Sequence, residues 1–143
     1  MKTVQDILAQ KGHRIFSVAP EATVYEALVL LAEKDIGAVL VLRGGALAGI
    51  FSERDYARQV VLKGRSSREL AVSEVMTREV LCVRPETTIE ECMALMTERR
   101  CRHLPVLVGG EITGLLSIGD VVKAILSAKD FHIGQLEAYI TQG

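Results

Sequence analysis

Apolar residues recur at helical spacing in two stretches of the chain, each preceded by a proline and a threonine. Val24, Ala27, Leu28 and Leu31 form one stripe, and Ile89, Cys92, Met93 and Met96 form the other. Residues three and four apart share one face of a helix, so each stripe predicts a half-buried helix. Thr23-x-x-Glu26 and Thr88-x-x-Glu91 stand just ahead, a spacing that lets hydroxyl and carboxylate satisfy free backbone N–H groups at a helix start. Each helix is followed by a short apolar run, Val39–Leu42 and Leu104–Val108, that reads as a buried strand. Gly44-Gly45 and Gly109-Gly110 then turn the chain into returning strands at Leu47–Phe51 and Ile112–Leu116. Ser52 and Ser117 cap a second helix in each case, with Asp55 and Asp120 in its first turn.

These elements repeat in register. Shifted by 65 residues, Ile15–Arg58 lies over Val80–Lys123 without a gap. Pro20 falls on Pro85, Thr23 on Thr88, Gly49 on Gly114, Ser52 on Ser117 and Asp55 on Asp120. A unit of strand, helix, strand, strand, helix that occurs twice cannot bury its apolar face alone, so the copies are expected to pack together. The fold class is α/β (α+β): two tandem repeats, each a small three-stranded sheet with two packing helices, related by pseudo-two-fold symmetry. The expected bounds are 1–62 for the first repeat with its lead-in, 63–71 for a polar linker, 72–128 for the second repeat and 129–143 for a helical tail. Val72–Met76 resembles Val4–Leu8, so each repeat has a short lead-in turn.

Composition narrows the functional classes. Hydrophobic residues make up 49% of the chain but aromatics only 4%, with no Trp, so the core is aliphatic. A net charge of −1 argues against nucleic acid as a partner. The longest apolar run, Ile36–Leu42, is too short for a bilayer. The first residues lack the pattern of a secretion signal, and the expected location is cytoplasmic. Cys82, Cys92 and Cys101 follow no metal-ligand or CxxC spacing, which predicts reduced thiols without zinc.

Two features could carry chemistry. A carboxylate just inside a helix start, as at Asp55 and Asp120, can serve only as a cap, or can accept hydrogen bonds from a cis-diol. Arg99, Arg100, Arg102 and His103 form a basic run leading into the second central strand, where it could compensate a helix end or hold phosphate. No nucleophile or second histidine shares a motif with His103, the serines sit outside any GxSxG elbow, and no phosphate-binding glycine loop occurs. A catalytic role and a metal site are therefore not expected.

The doubled motifs Gly49-Ile50-Phe51-Ser52-Glu53-Arg54-Asp55 and Gly114-Leu115-Leu116-Ser117-Ile118-Gly119-Asp120, with Arg102-His103-Leu104-Pro105-Val106, resemble the cystathionine-beta-synthase (CBS) domain in its tandem form. The resemblance covers nearly the whole chain and is to stand-alone bacterial CBS pairs, also called Bateman modules, without a catalytic domain. It implies a non-catalytic regulatory module that binds an adenosine-containing ligand between the repeats: AMP or NAD first, ATP or S-adenosylmethionine next. It places Asp55 and Asp120 on ribose hydroxyls and Ser52 and Ser117 on ribose or phosphate. One cleft would combine Asp120, Ser117, Arg102 and His103 with Ser17 and Ala38, and this one is expected to take a phosphorylated ligand. The other would combine Asp55, Ser52 and Arg54 with Cys82, Leu104 and Pro105; family sites often carry Thr at the Cys82 position. The resemblance also implies a homodimer, formed through helical faces around Tyr56, Val60, Val61, Val121, Val122, Ile125 and Leu126, and an unidentified regulated protein. The competing expectation is a constitutive assembly module whose aspartates only cap helices.

Overall fold

The computed structural model describes residues 2–127; the expected helical tail, 129–143, lies outside them. In chain order the elements are α1 (Val4–Lys11), β1 (Ser17–Val18), α2 (Val24–Lys34), β2 (Ala38–Arg43), β3 (Ala46–Ser52) and α3 (Glu53–Tyr56), which runs on as a π turn over Ala57–Val61. A 3-10 turn at Val72–Glu74 precedes α4 (Ile89–Arg99), β4 (His103–Val108), β5 (Glu111–Ser117) and α5 (Ile118–Ser127). At the start of α2 the Thr23 hydroxyl accepts the Glu26 N–H at 3.0 Å, and the Glu26 carboxylate accepts the Thr23 N–H at 3.3 Å. Thr88 accepts the Glu91 N–H at 3.1 Å without the return bond. The hairpin turns need positive φ at both central positions, and Gly44-Gly45 and Gly109-Gly110 supply it, with φ of 58°, 87°, 57° and 84°.

The first sheet has the order β1-β2-β3, with β1 parallel and β3 antiparallel to β2. The second sheet contains only β4 and β5; the expected third strand is reduced to one parallel bridge, Val83 to Val106. Pro105 explains the difference. In the first copy the Leu40 N–H donates to the Phe16 carbonyl at 3.1 Å. The residues in register with this pair are Pro105 and Leu81, and proline has no N–H to donate. Val83 alone stays attached, donating to the Pro105 carbonyl and accepting from the Leu107 N–H, both at 2.9 Å.

Each repeat has its own aliphatic core, completed by the lead-in that sequence order assigns to the other. Val24, Ala27, Leu31, Val39, Val41, Phe51 and Val60 pack with Leu70, Val72 and Val75. Ile89, Cys92, Met96, Leu104, Val106, Leu116 and Val121 pack with Val4, Ile7 and Leu8 from the N-terminus. The end of the expected surface linker is thus docked, with the Leu70 carbonyl accepting the Val24 N–H at 2.9 Å.

The exchanged lead-ins press on one glycine in each hairpin. A Cβ on Gly49 would lie 2.7 Å from both Met76 Sδ and the Thr77 carbonyl oxygen, and a Cβ on Gly114 would lie 2.7 Å from Leu8 Cδ2. Backbone cannot step aside as a leucine methyl can. Gly49→Ala is expected to destabilise by about 2–3 kcal/mol and Gly114→Ala by about 1 kcal/mol. Urea denaturation of the two variants side by side checks the order.

Candidate functional site

The first candidate centre is built from the end of β3. Ser52 leaves the strand in an extended conformation and caps α3, which places Asp55 three residues on. Asp55 Oδ2 accepts the Ser52 N–H and the Ser52 hydroxyl, both at 2.9 Å, and Asp55 Oδ1 accepts the Thr77 hydroxyl at 3.0 Å. Thr77 is held there by two backbone bonds with Ile50, each 2.9 Å, made across the bare face of Gly49. Asp55 therefore faces two neutral hydroxyl donors, which a ligand diol can replace in kind.

Around Asp55 opens a cleft of about 800 Å³ lined by both repeats. A volume of this size suits a small-molecule ligand. Five arginines line it, Arg54, Arg58, Arg99, Arg100 and Arg102, against the carboxylates Glu53, Asp55 and Glu79. All five arginines are exposed, and among the described residues none is in an ion pair. Arg54 is steadied by donating from Nη1 to the Arg100 carbonyl at 2.9 Å. Ile50, Val80 and Leu81 supply an apolar wall.

Asp120 has different company. Its Oδ2 accepts the Ser117 N–H at 2.8 Å and the Lys11 ammonium at 2.5 Å, and Lys11 also donates to the Leu115 carbonyl at 2.6 Å. Lys11 is the last residue of α1, so the exchange of lead-ins delivers it to the second repeat. Burial alone would raise the Asp120 carboxyl, but the Lys11 and Ser117 bonds outweigh it and hold the group below its usual range. At Asp120 donor and acceptor are both charged, which adds Coulomb attraction to the hydrogen bond, so a ligand hydroxyl displaces Lys11 less readily than it displaces Ser52 or Thr77.

The structure regroups the residues singled out from sequence. Arg102 and His103 line the cleft of Asp55, with Ser52 and Arg54, and are absent from the lining residues of the smaller cavity beside Asp120. The His103 ring reaches the first repeat at Gly37, where a Cβ would lie 3.7 Å from the imidazole and 3.3 Å from Glu53 Oε1. Ser117 stays with Asp120, whereas Ser17 is exposed on β1 and Ala38 is buried opposite Ser52. Leu104 and Pro105 are buried, and Cys82 is half-buried; Val80 and Leu81 take their expected place at the cleft wall. Arg58, Thr77 and Lys11 were not singled out; Arg58 stands one helical turn after Arg54, but no local pattern marks the other two.

Burial, reinforced by Lys11 and Arg102 and only partly opposed by Asp120 and Asp55, pushes the His103 imidazole below its ordinary value of 6.5. The unfolded chain then takes up a proton at higher pH than the folded one does. His103 should contribute its full stability above pH 6.5 and lose it as the pH falls below that value. Urea midpoints at pH 7.5 and at pH 5.5 are expected to differ less in His103→Gln than in the unsubstituted protein. The three cysteines are free, and Cys92 is buried, its thiol pushed up to about 11 by burial and then by Glu91 and Glu90. Among the described residues no His, Cys, Asp or Glu cluster could hold a metal ion, and no helix is long and apolar enough to cross a membrane.

Two α/β repeats sharing a cleft define a paired-repeat module. The chain belongs to the CBS-domain family, whose model matches residues 4–62 and 72–127. It is 37% identical over 150 residues to the CBS domain-containing protein CBSX3, mitochondrial, of Arabidopsis thaliana, covering 99% of this chain and 73% of that one. A CBS-domain protein from Burkholderia ambifaria MC40-6 has a solved structure with 52% identity and a TM-score of 0.85, covering 88% of this chain and 95% of that one. The pair thus fills nearly the whole of that solved chain, leaving no room in it for a catalytic domain. The fold is shared with the CBS domain pair of protein MJ0100, solved in complex with methylthioadenosine and S-adenosyl-L-methionine: 19% identity, TM-score 0.78, covering 90% of this chain and 98% of that one.

Proposed function

We propose that the chain is a non-catalytic regulatory module that binds an adenosine-containing nucleotide in the Asp55 cleft and reports energy or metabolic state to a partner protein. One observation carries this reading: a carboxylate facing displaceable hydroxyls shares one cleft of about 800 Å³ with guanidinium groups that have no ion-pair partner among the described residues. A ribose cis-diol fits the first, phosphate fits the second, and adenine fits the apolar wall of Ile50, Val80 and Leu81. Ser52, Arg54, Arg102 and His103 complete this site, and Cys82, Leu104 and Pro105 support it from behind the wall. Asp120 and Ser117, with Ser17 and Ala38 toward the first copy, form a second and weaker site from which Lys11 must be displaced. The adenosine ligands bound to the MJ0100 pair support the ligand class, which spans AMP, NAD, ATP and S-adenosylmethionine.

A ligand that touches both repeats favours one arrangement of them, and its differential affinity is what a partner would read. Ile118, Val122 and Leu126 leave an apolar stripe 39–40% exposed along α5, and Val61 and Leu62 are more exposed still. We assign this face to a homodimer; Val60 and Val121, 1% and 0% exposed, belong to the protomer's own cores. The proposed location is cytoplasmic, in keeping with three unpaired cysteines. The same apolar stripe favours the second reading, an assembly module without ligand. Calorimetric titration of the nucleotide-stripped protein with AMP, ATP, NAD and S-adenosylmethionine decides between the two. Binding of any one supports the sensor; silence from all four leaves the assembly module.

A further inference from the structure

The lead-in that carries Lys11 is longer than its counterpart. Val4–Leu8 lies over Val72–Met76 with an offset of 68, whereas the repeats that follow are offset by 65. Three extra residues therefore separate Leu8 from Ile15. In the structure the first lead-in is the eight-residue helix α1, ending on Lys11, where the second is a 3-10 turn of three residues, Val72–Glu74. The two hairpins are held differently as a result. In the first copy the chain passes from Met76 straight to Thr77, whose N–H donates to the Ile50 carbonyl at 2.9 Å. Leu115 is in register with Ile50, and its carbonyl accepts the Lys11 ammonium at 2.6 Å. The same ammonium reaches Asp120 Oδ2 at 2.5 Å. One side chain thus takes both places that Thr77 fills beside Asp55, the bond to the strand carbonyl and the bond to the aspartate.

The second centre is also shut by volume. The cavity bordering Asp120 is about 220 Å³, with Lys11 in its wall, against about 800 Å³ around Asp55. Small-molecule pockets generally need roughly 300 Å³ or more. Resting on the nucleotide reading above, we infer that Lys11 is a built-in latch: it stands in for a ligand on Asp120, so that a protomer takes one nucleotide, at Asp55, until the end of α1 lets go. The ammonium can swing out on its own side chain while α1 stays anchored in the second core by Val4, Ile7 and Leu8. The first copy has no such freedom, because its lead-in is tied to the hairpin through backbone. A ligand at Asp120 works against the latched population, and its apparent affinity is reduced to the open fraction of molecules. The two aspartates each stand three residues after a capping serine; they differ in what the lead-in places on them.

The test is calorimetric titration with AMP, ATP, NAD and S-adenosylmethionine of the full chain, unsubstituted, as Lys11→Met and as Lys11→Met/Asp120→Ala. Methionine keeps the length and apolar stem of the lysine without its charge. A thermal scan confirms that each variant is folded, and Lys11→Gln serves in place of Lys11→Met if the latter is not. The unsubstituted protein is expected to bind one ligand per protomer and Lys11→Met two. The added event is expected on the order of tenfold or more tighter than any second event in the unsubstituted protein, and it should vanish in Lys11→Met/Asp120→Ala. A count of one in Lys11→Met, or of two in the unsubstituted protein, overturns the latch and leaves the nucleotide reading standing. An added event that survives Asp120→Ala also overturns the latch. Binding by Lys11→Met but not by the unsubstituted protein keeps the latch and overturns the assignment to Asp55. Silence from every protein toward all four ligands overturns both.

Discussion

Asp55→Ala is expected to weaken the tightest adenosine ligand on the order of 100-fold or more, because two hydrogen bonds from a ribose diol to a carboxylate are lost at about 1.5–3 kcal/mol each. Asp120→Ala should leave that binding event nearly unchanged, since Asp120 lies outside the cleft lining and already holds Lys11 at 2.5 Å. If Asp55 were only a helix cap, its loss would cost about 1 kcal/mol of stability and leave binding intact. Asp55→Asn sharpens the distinction. It keeps a side-chain acceptor for the Ser52 N–H, now at 2.9 Å, but removes the charge that strengthens a bond from ribose. Calorimetry on the three variants, with urea denaturation alongside, separates ligand loss from cap loss. Equal loss of binding in Asp55→Ala and Asp120→Ala would mean that the clefts act as one, against the asymmetry described above.

Much of this asymmetry rests on contacts that no local pattern records. The helix caps and the Gly-Gly hairpins were legible because each is written within a few residues, a hydroxyl three positions from a carboxylate or two glycines between apolar runs, and the 65-residue register was legible because these local signals recur in the same order. Lys11 was not. Its partner Asp120 is 109 residues away, and the stripe of Val4, Ile7 and Leu8 states that α1 must be buried without stating in which core. Arg102 and His103 show a related limit, because they border both clefts: His103 pairs with Ser117 across the hairpin and also lines the Asp55 cleft. Chain order puts them beside β5 and Asp120, and only the packing of the two repeats brings the imidazole next to Gly37 as well. Pro105 is a different case, since its missing N–H was visible in the sequence all along. Its effect on the third strand becomes apparent only when the copies are compared bond by bond, Leu40 to Phe16 against Pro105 to Leu81.

The largest loss of stability is expected from Phe51→Ala. Phe51 is fully buried, pairs across the hairpin with Val39 and fills the first core against residues of both the repeat and the exchanged lead-in. Removing such a ring costs about 3–5 kcal/mol, against a total of roughly 5–15 kcal/mol for a typical domain. The second copy suggests the milder substitution: Leu116 fills the same register position and is equally buried, so Phe51→Leu should cost only a fraction of this. Phe51 also precedes Ser52, and loosening the end of β3 moves the cap that presents Asp55. Stability and binding at this site are therefore linked. Ligand at a hundred times its Kd adds about 2.7 kcal/mol to a folded state that alone can bind it. Urea denaturation of Phe51→Ala with and without nucleotide should show most of that recovery, and Phe51→Ala/Asp55→Ala should show none. Equal recovery in the double variant would place the ligand somewhere other than the Asp55 cleft.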